Sequence, residues 1–132
     1  MGNTNPGWAR ITIALAGIFG AGGVMAAASA SHGEDARNLG AIATICLAHG
    51  PALLALGLAG RGRLFAIAAL LLAFGTLVFA GDLLVRNSFG HGAFPFAAPL
   101  GGVGMIAGWI MVIAGGIVRR APLADDDNGR IG

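Results

Sequence analysis

Four long apolar runs, at about residues 10–31, 38–60, 63–85 and 99–119, constrain this chain more than any other feature. Each is long enough to cross a hydrocarbon core of about 30 Å as a helix, which takes roughly 20 residues. Backbone amides and carbonyls find no water in lipid, so only helices or closed barrels satisfy them there. None of the runs alternates with the period of two that a barrel strand needs. The connections are short, so consecutive helices should pack antiparallel. The expected fold is all-α: an integral membrane, antiparallel four-helix bundle formed as one domain by residues 1–120, with a disordered tail over 121–132.

The charge content supports this. Only 11% of the residues are charged, against about 25% in soluble domains, too few to cover a soluble surface. All eight basic residues are arginines. They stand singly or in pairs near the ends of the runs, so the high pI of about 10.0 marks no nucleic-acid-binding patch. Cys46 is the one cysteine, which excludes an internal disulfide framework and a cysteine-based zinc cluster.

Arginine placement sets the expected orientation, because cytoplasmic ends of membrane helices are enriched in basic residues. One side of a four-span chain carries Arg10, Arg61, Arg63, Arg119, Arg120 and the distal Arg130; the other carries Arg37 and Arg86. Both termini are therefore expected in the cytoplasm, with the stretches Met25–Arg37 and Arg86–Pro99 facing outward. Ala28-Ser29-Ala30, after an apolar run, also imitates a signal-peptide cleavage site. Cleavage there would leave three spans and set the C-terminal arginines against the remaining ones, so the first run is expected to be retained as a helix.

The 24 glycines call for a physical reason. With little hydrophobic drive between helices in lipid, close backbone approach matters more, and small residues permit it. Helix one carries Gly17-x-x-x-Ala21 and Ala16-x-x-x-Gly20; helix four carries Gly104-x-x-x-Gly108. Gly17, Gly20, Gly104 and Gly108 are thus expected at packing faces, within the bundle or against another membrane protein.

Ionisable groups in a span are costly and are the first candidates for a site. Asp82 falls in the last turn of helix three, where the helix dipole disfavours a carboxylate, so it needs a partner. Arg86 follows on the same face at i+4. His32 and Arg37 leave the neighbouring helices at the same height. Two readings stay open: a rim ion pair of Asp82 with Arg86 or Arg37 that braces the bundle, or a small polar site of His32, Asp82, Arg86 and His91. His49 lies about halfway along helix two, just before Pro51, which frees the carbonyl of Leu47 and should kink the helix. A neutral, hydrogen-bonded His49 is expected. Cys46 shares its face at i+3, but two ligands do not make a metal site. His32 and His49 differ too much in depth to hold a haem between them. No nucleotide loop or hydrolase motif is present.

In the second outer connection, "RNSFGHGAFPFAAPLGG", Phe89, Phe94 and Phe96 suggest a hairpin lying in the membrane interface, where aromatic side chains anchor. Trp8 is placed to do the same at the other face.

Four stretches together resemble the YgdD-like family of small bacterial inner-membrane proteins of unknown function. They are "AAASASHG" at 26–33, "LAHGPALLALGL" at 47–58, "FGTLVFAGDLLV" at 74–85 and "APLGGVGMIAGW" at 98–109. The resemblance spans about residues 10–120. It implies that His32, His49, Gly81, Pro99, Gly101, Gly102 and Trp109 are family positions, and it implies no activity. Ser31, Gly50-Pro51 and Asp82 depart from the family pattern, which has alanine, alanine-leucine and serine there.

The function expected from these residues is that of a non-enzymatic membrane protein, without cofactor or metal. It would pack through Gly/Ala-rich helix faces against another membrane protein or itself, with the lipid bilayer as its other partner and no nucleic acid. The alternative is a small transporter or channel-like protein, with His32, Asp82 and Arg86 at an outer vestibule and His49 at mid-depth.

Overall fold

The computed structural model describes residues 6–32 and 36–118. It contains four α-helices: α1 (Pro6–Ala30), α2 (Ala36–Ala59), α3 (Arg63–Phe89) and α4 (Ala97–Val118). All four are long and apolar enough to cross a membrane, and the chain is a multi-pass membrane protein. The region 121–132 lies outside the described residues.

The helix ends follow local chemistry. α1 starts at Pro6, four residues before the apolar run begins; proline's fixed φ suits a first helical turn, where its missing N–H is not needed. α3 runs one turn past the apolar run to Phe89, and Gly90 ends it in the left-handed conformation, its N–H donating to the Arg86 carbonyl. That conformation is open to glycine and strained for most other residues. α2 continues as one helix through Pro51, whose ring is exposed on the lipid side.

Small residues decide how closely the helices pair. In the α1–α2 hairpin, a Cβ on Gly50 would lie 3.2 Å from the Ala16 carbonyl oxygen and 3.3 Å from the Gly20 nitrogen. In the α3–α4 hairpin the approach is closer. A Cβ on Gly75 would stand 2.7 Å from the Gly101 oxygen, and one on Gly101 would stand 2.6 Å from the Phe79 nitrogen. Gly104 faces Gly75, and Gly108 receives the Leu72 side chain. Gly104 and Gly108 thus lie where helices meet, and so does Gly20 through its backbone, although a Cβ on it would meet nothing within 4 Å. Gly17 does not: a Cβ there meets nothing within 4 Å, and the residue is exposed. Residues 16 and 17 differ by about 100° around the helix, so when Ala16 and Gly20 take α2, the Gly17/Ala21 pair is turned away from the chain.

The two hairpins join through α2 and α3, which hold the middle of the assembly. α1 brushes α3, while the backbone of α4 approaches neither α1 nor α2 among the described residues. The core, including Phe19, Cys46, Leu53, Ala68, Leu72 and Met105, gathers along this α2–α3 seam. Large apolar side chains such as Ile18, Leu58, Leu70, Phe74, Ile106 and Ile117 stand outward, where a soluble protein would be polar and a bilayer demands hydrocarbon.

Candidate functional site

Asp82 is the most deeply buried charged residue of the described chain, at 1% exposure. Its Oδ2 accepts a hydrogen bond from Arg86 Nε at 2.7 Å, one turn along α3. Its Oδ1 accepts one from the Ala93 backbone N–H, also at 2.7 Å, and the Ala98 amide is directed at the same carboxylate.

The last two contacts explain how a carboxylate persists at the C-terminal end of α3. The first N–H groups of a helix lack partners within it. In α4 the Ala97 N–H goes back to the Phe94 carbonyl, Pro99 has no N–H, and Leu100 donates to Phe96, which stands at the capping position. Phe96 has no side-chain acceptor and takes a positive φ of 65°. Asp82 faces the Ala98 amide from the neighbouring helix, where a capping side chain normally acts, and accepts the Ala93 amide of the loop before α4. The unfavourable dipole end of α3 is thus offset by the favourable end of α4. Gly92 completes the pocket: a Cβ there would fall 2.6 Å from Arg86 Nη2 and 2.8 Å from Asp82 Oδ1. The Arg86 side chain is 42% exposed, so its head bridges the buried acid and the surface.

The second polar centre lies deep in the membrane layer. His49 Nδ1 stands 2.8 Å from the Ile45 carbonyl, and Trp109 Nε1 stands 3.2 Å from His49 Nε2. A carbonyl only accepts and an indole N–H only donates, so the ring is neutral with its proton on Nδ1. The rings meet at 60° with centroids 6.0 Å apart. The carbonyl used is that of Ile45, not the Leu47 carbonyl released by Pro51. His49 lies 13 residues into α2 and Trp109 12 residues into α4. Both helices start at the same end, so at 1.5 Å per residue the two side chains share one depth.

The other sequence candidates lie apart. His32 is exposed beyond the end of α1, its amide donating to the Ser29 carbonyl, and it is not among the partners of Asp82. Arg37 is also exposed. His91 is exposed; its Nδ1–H donates to the Gly92 carbonyl and its ring lies 6.2 Å from that of Phe89. The structure therefore joins Asp82 to Arg86, and His49 to Trp109, but does not gather His32, Asp82, Arg86 and His49 into one site. Cys46 is buried at the edge of a groove that does not include His49. Among the described residues no three His, Cys, Asp or Glu side chains come together to hold a metal. Among the described residues two buried oxygens, Thr76 Oγ1 and Asn87 Oδ1, lack hydrogen-bond partners.

Reading the residues alone missed Ala93, Gly92 and the partnership of Trp109. The depth match between His49 and Trp109 was an available signal, since both distances count from helix starts on one side. The Ala93 contact carried none, because it depends on how the 90–96 loop folds back. Chemically, both oxygens of Asp82 and both ring nitrogens of His49 are engaged within the chain. At this rim the guanidinium of Arg86 is offered outward, as is the exposed Arg37.

A family model described as a protein of unknown function, DUF423, matches residues 16–102. No curated protein and no solved structure matches the chain. The matched segment contains His32, His49 and Asp82, three of the four stretches that carry the YgdD-like resemblance, and the start of the fourth. The chain belongs to the DUF423 family of proteins of unknown function.

Proposed function

We propose that this protein is a non-enzymatic packing subunit of a bacterial inner membrane, with both termini in the cytoplasm, that seats another membrane helix on the outer face of α1. The observation that carries this reading is a contrast in how the chain uses its small residues. The Ala16/Gly20 face of α1 is taken up by α2, whereas Ala14, Gly17, Ala21 and Ala28 are exposed along the adjacent face. Their spacing of three, four and seven residues puts them on one stripe, the arrangement that lets a second helix approach closely in lipid. The saturated polar groups support the same reading. A transport path needs groups free to exchange partners with a cargo, and Asp82 and His49 are engaged within the chain. The excess of arginines on the side of the termini supports the orientation.

The test is purification in a gentle detergent or polymer with mass spectrometry of the intact complex, for the wild type and for Gly17→Leu. A Cβ at Gly17 meets open space, so the variant should fold. The expected result is a defined complex, with itself or another membrane protein, that Gly17→Leu dissolves. A wild type that is strictly monomeric and carries no partner would overturn the reading.

A further inference from the structure

A second feature of the α1–α2–α3 side is independent of that stripe. Where α1 brushes α3 across α2, the three helices leave a groove of about 370 Å³, bounded by Ile18, Gly22 and Ser29 of α1, Cys46 of α2, and Leu77 and Gly81 of α3. We propose that this groove is a binding site for one hydrocarbon chain of a membrane phospholipid, drawn from the leaflet at the His32 end.

Three properties point to that occupant. The first is length. Ile18 and Ser29 are 11 residues apart on one helix, about 16 Å at 1.5 Å per residue, so the groove spans about half of a 30 Å hydrocarbon core, one leaflet. The second is width. A volume of 370 Å³ open to the centre of a water molecule over that length gives a mean cross-section of about 23 Å²; with a water radius of about 1.4 Å on each side, the walls stand roughly 8 Å apart. An alkyl chain enters this and lies along its walls at carbon–carbon distances of about 3.5–4.0 Å. A helix with its side chains is about 10–12 Å across and does not. The third is polarity. Ser29, at the mouth, is the one polar side chain of the lining. His32 stands exposed three residues further on, just beyond the end of α1. An amphiphile with its chain inside and its head at this rim matches the lining throughout. An unfilled groove would leave the walls without dispersion partners.

Gly22 and Gly81 make the proposal testable. Each lines the groove, and a Cβ at either meets nothing within 4 Å. Leucine at either position therefore fills the groove from one wall without pressing on another helix. The experiment reconstitutes the full chain into nanodiscs of phosphatidylethanolamine and phosphatidylglycerol that contain a phospholipid with a photoactivatable diazirine in its acyl chain. Labelled residues are then located by mass spectrometry. The expected result is labelling of Met25, Cys46 and Leu77 several-fold above that of Ile106 and Ile113 on the exposed face of α4. Gly22→Leu and Gly81→Leu should each abolish the excess while leaving the melting temperature unchanged. Equal labelling of the groove and α4 would overturn the proposal. So would an excess that survives in both variants, or a groove that crosslinks to a second polypeptide in place of lipid. Should one variant fail to fold, the other reads the same groove from the opposite wall.

Discussion

Trp109 on α4 donates its indole N–H to Nε2 of His49 on α2 across 3.2 Å, although the backbones of these two helices do not approach each other. α3 fills the space between them, and the large indole reaches past it. The bond also holds the His49 tautomer, because its other nitrogen must then donate to the Ile45 carbonyl. A side-chain tie of this kind links the far helix to the other hairpin at mid-depth.

Breaking that tie should cost little but measurably. Interhelical side-chain hydrogen bonds in membrane bundles average about 0.6 kcal/mol, with a maximum near 1.7. A double-mutant cycle of His49→Phe and Trp109→Phe, read by reversible unfolding in mixed micelles, should return a coupling of about 0.5–1.5 kcal/mol. A coupling of zero would show that the rings merely pack.

Asp82 should dominate the stability of the α3–α4 rim. Asp82→Ala removes the acceptor for the Ala93 amide, a cost of about 1–3 kcal/mol, while the half-exposed guanidinium it leaves can turn to water. Asp82→Asn keeps a carbonyl oxygen for Ala93 and should lose less. Arg86→Ala should lose the most, about 3–5 kcal/mol, because it leaves the buried carboxylate without its counter-charge. Thermal melts should put Arg86→Ala lowest and Asp82→Asn highest; Asp82→Ala melting with the wild type would contradict the capping role given to the acid.

Gly92 offers an independent check on the same pocket. Its added methyl in Gly92→Ala would fall on the guanidinium and the carboxylate, although its own backbone is not in the left-handed region. The variant should loosen the Asp82–Arg86 pair and lower the melting temperature, by less than Arg86→Ala, which removes the counter-charge outright. In the Arg86→Ala background the same change should do much less, since the atom nearest the new methyl is gone.

The glycines should separate into two classes. Gly101→Ala would place a methyl 2.6 Å from the Phe79 nitrogen, so α3 and α4 must part, at a cost of about 1–3 kcal/mol for overpacking. Gly17→Ala meets open space and should be neutral or stabilise by up to about 1 kcal/mol through helix propensity. Circular-dichroism melts of the two variants side by side would show it; equal losses would mean that Gly17 faces a partner in the sample.

Much of this was open to a reader of the residues. Asp82 needed a partner because of the helix it ends, and Arg86 at i+4 was the nearest one. Gly104 and Gly108 were placed at a helix contact by their spacing. His32 was drawn toward Asp82 by equal height alone, and height does not fix azimuth. Its exposure beyond α1 follows from where the first hairpin turns. Gly17 and Ala16 were equally good packing residues on spacing, and nothing local separates two faces 100° apart.

What the sequence determined by itself was the number, length and helical nature of the spans. Those follow from apolar run length and from the backbone's need to satisfy its hydrogen bonds in lipid, both local along the chain. It also determined that Asp82 could not stand alone. Only the tertiary structure decided which small residues meet, that α4 and the loop before it turn the Ala98 and Ala93 amides to an acid on α3, and that Trp109 finds His49. Each of these depends on the rotation of one helix against another. That rotation is set by the summed contacts of whole helix faces, which no short stretch of the chain contains.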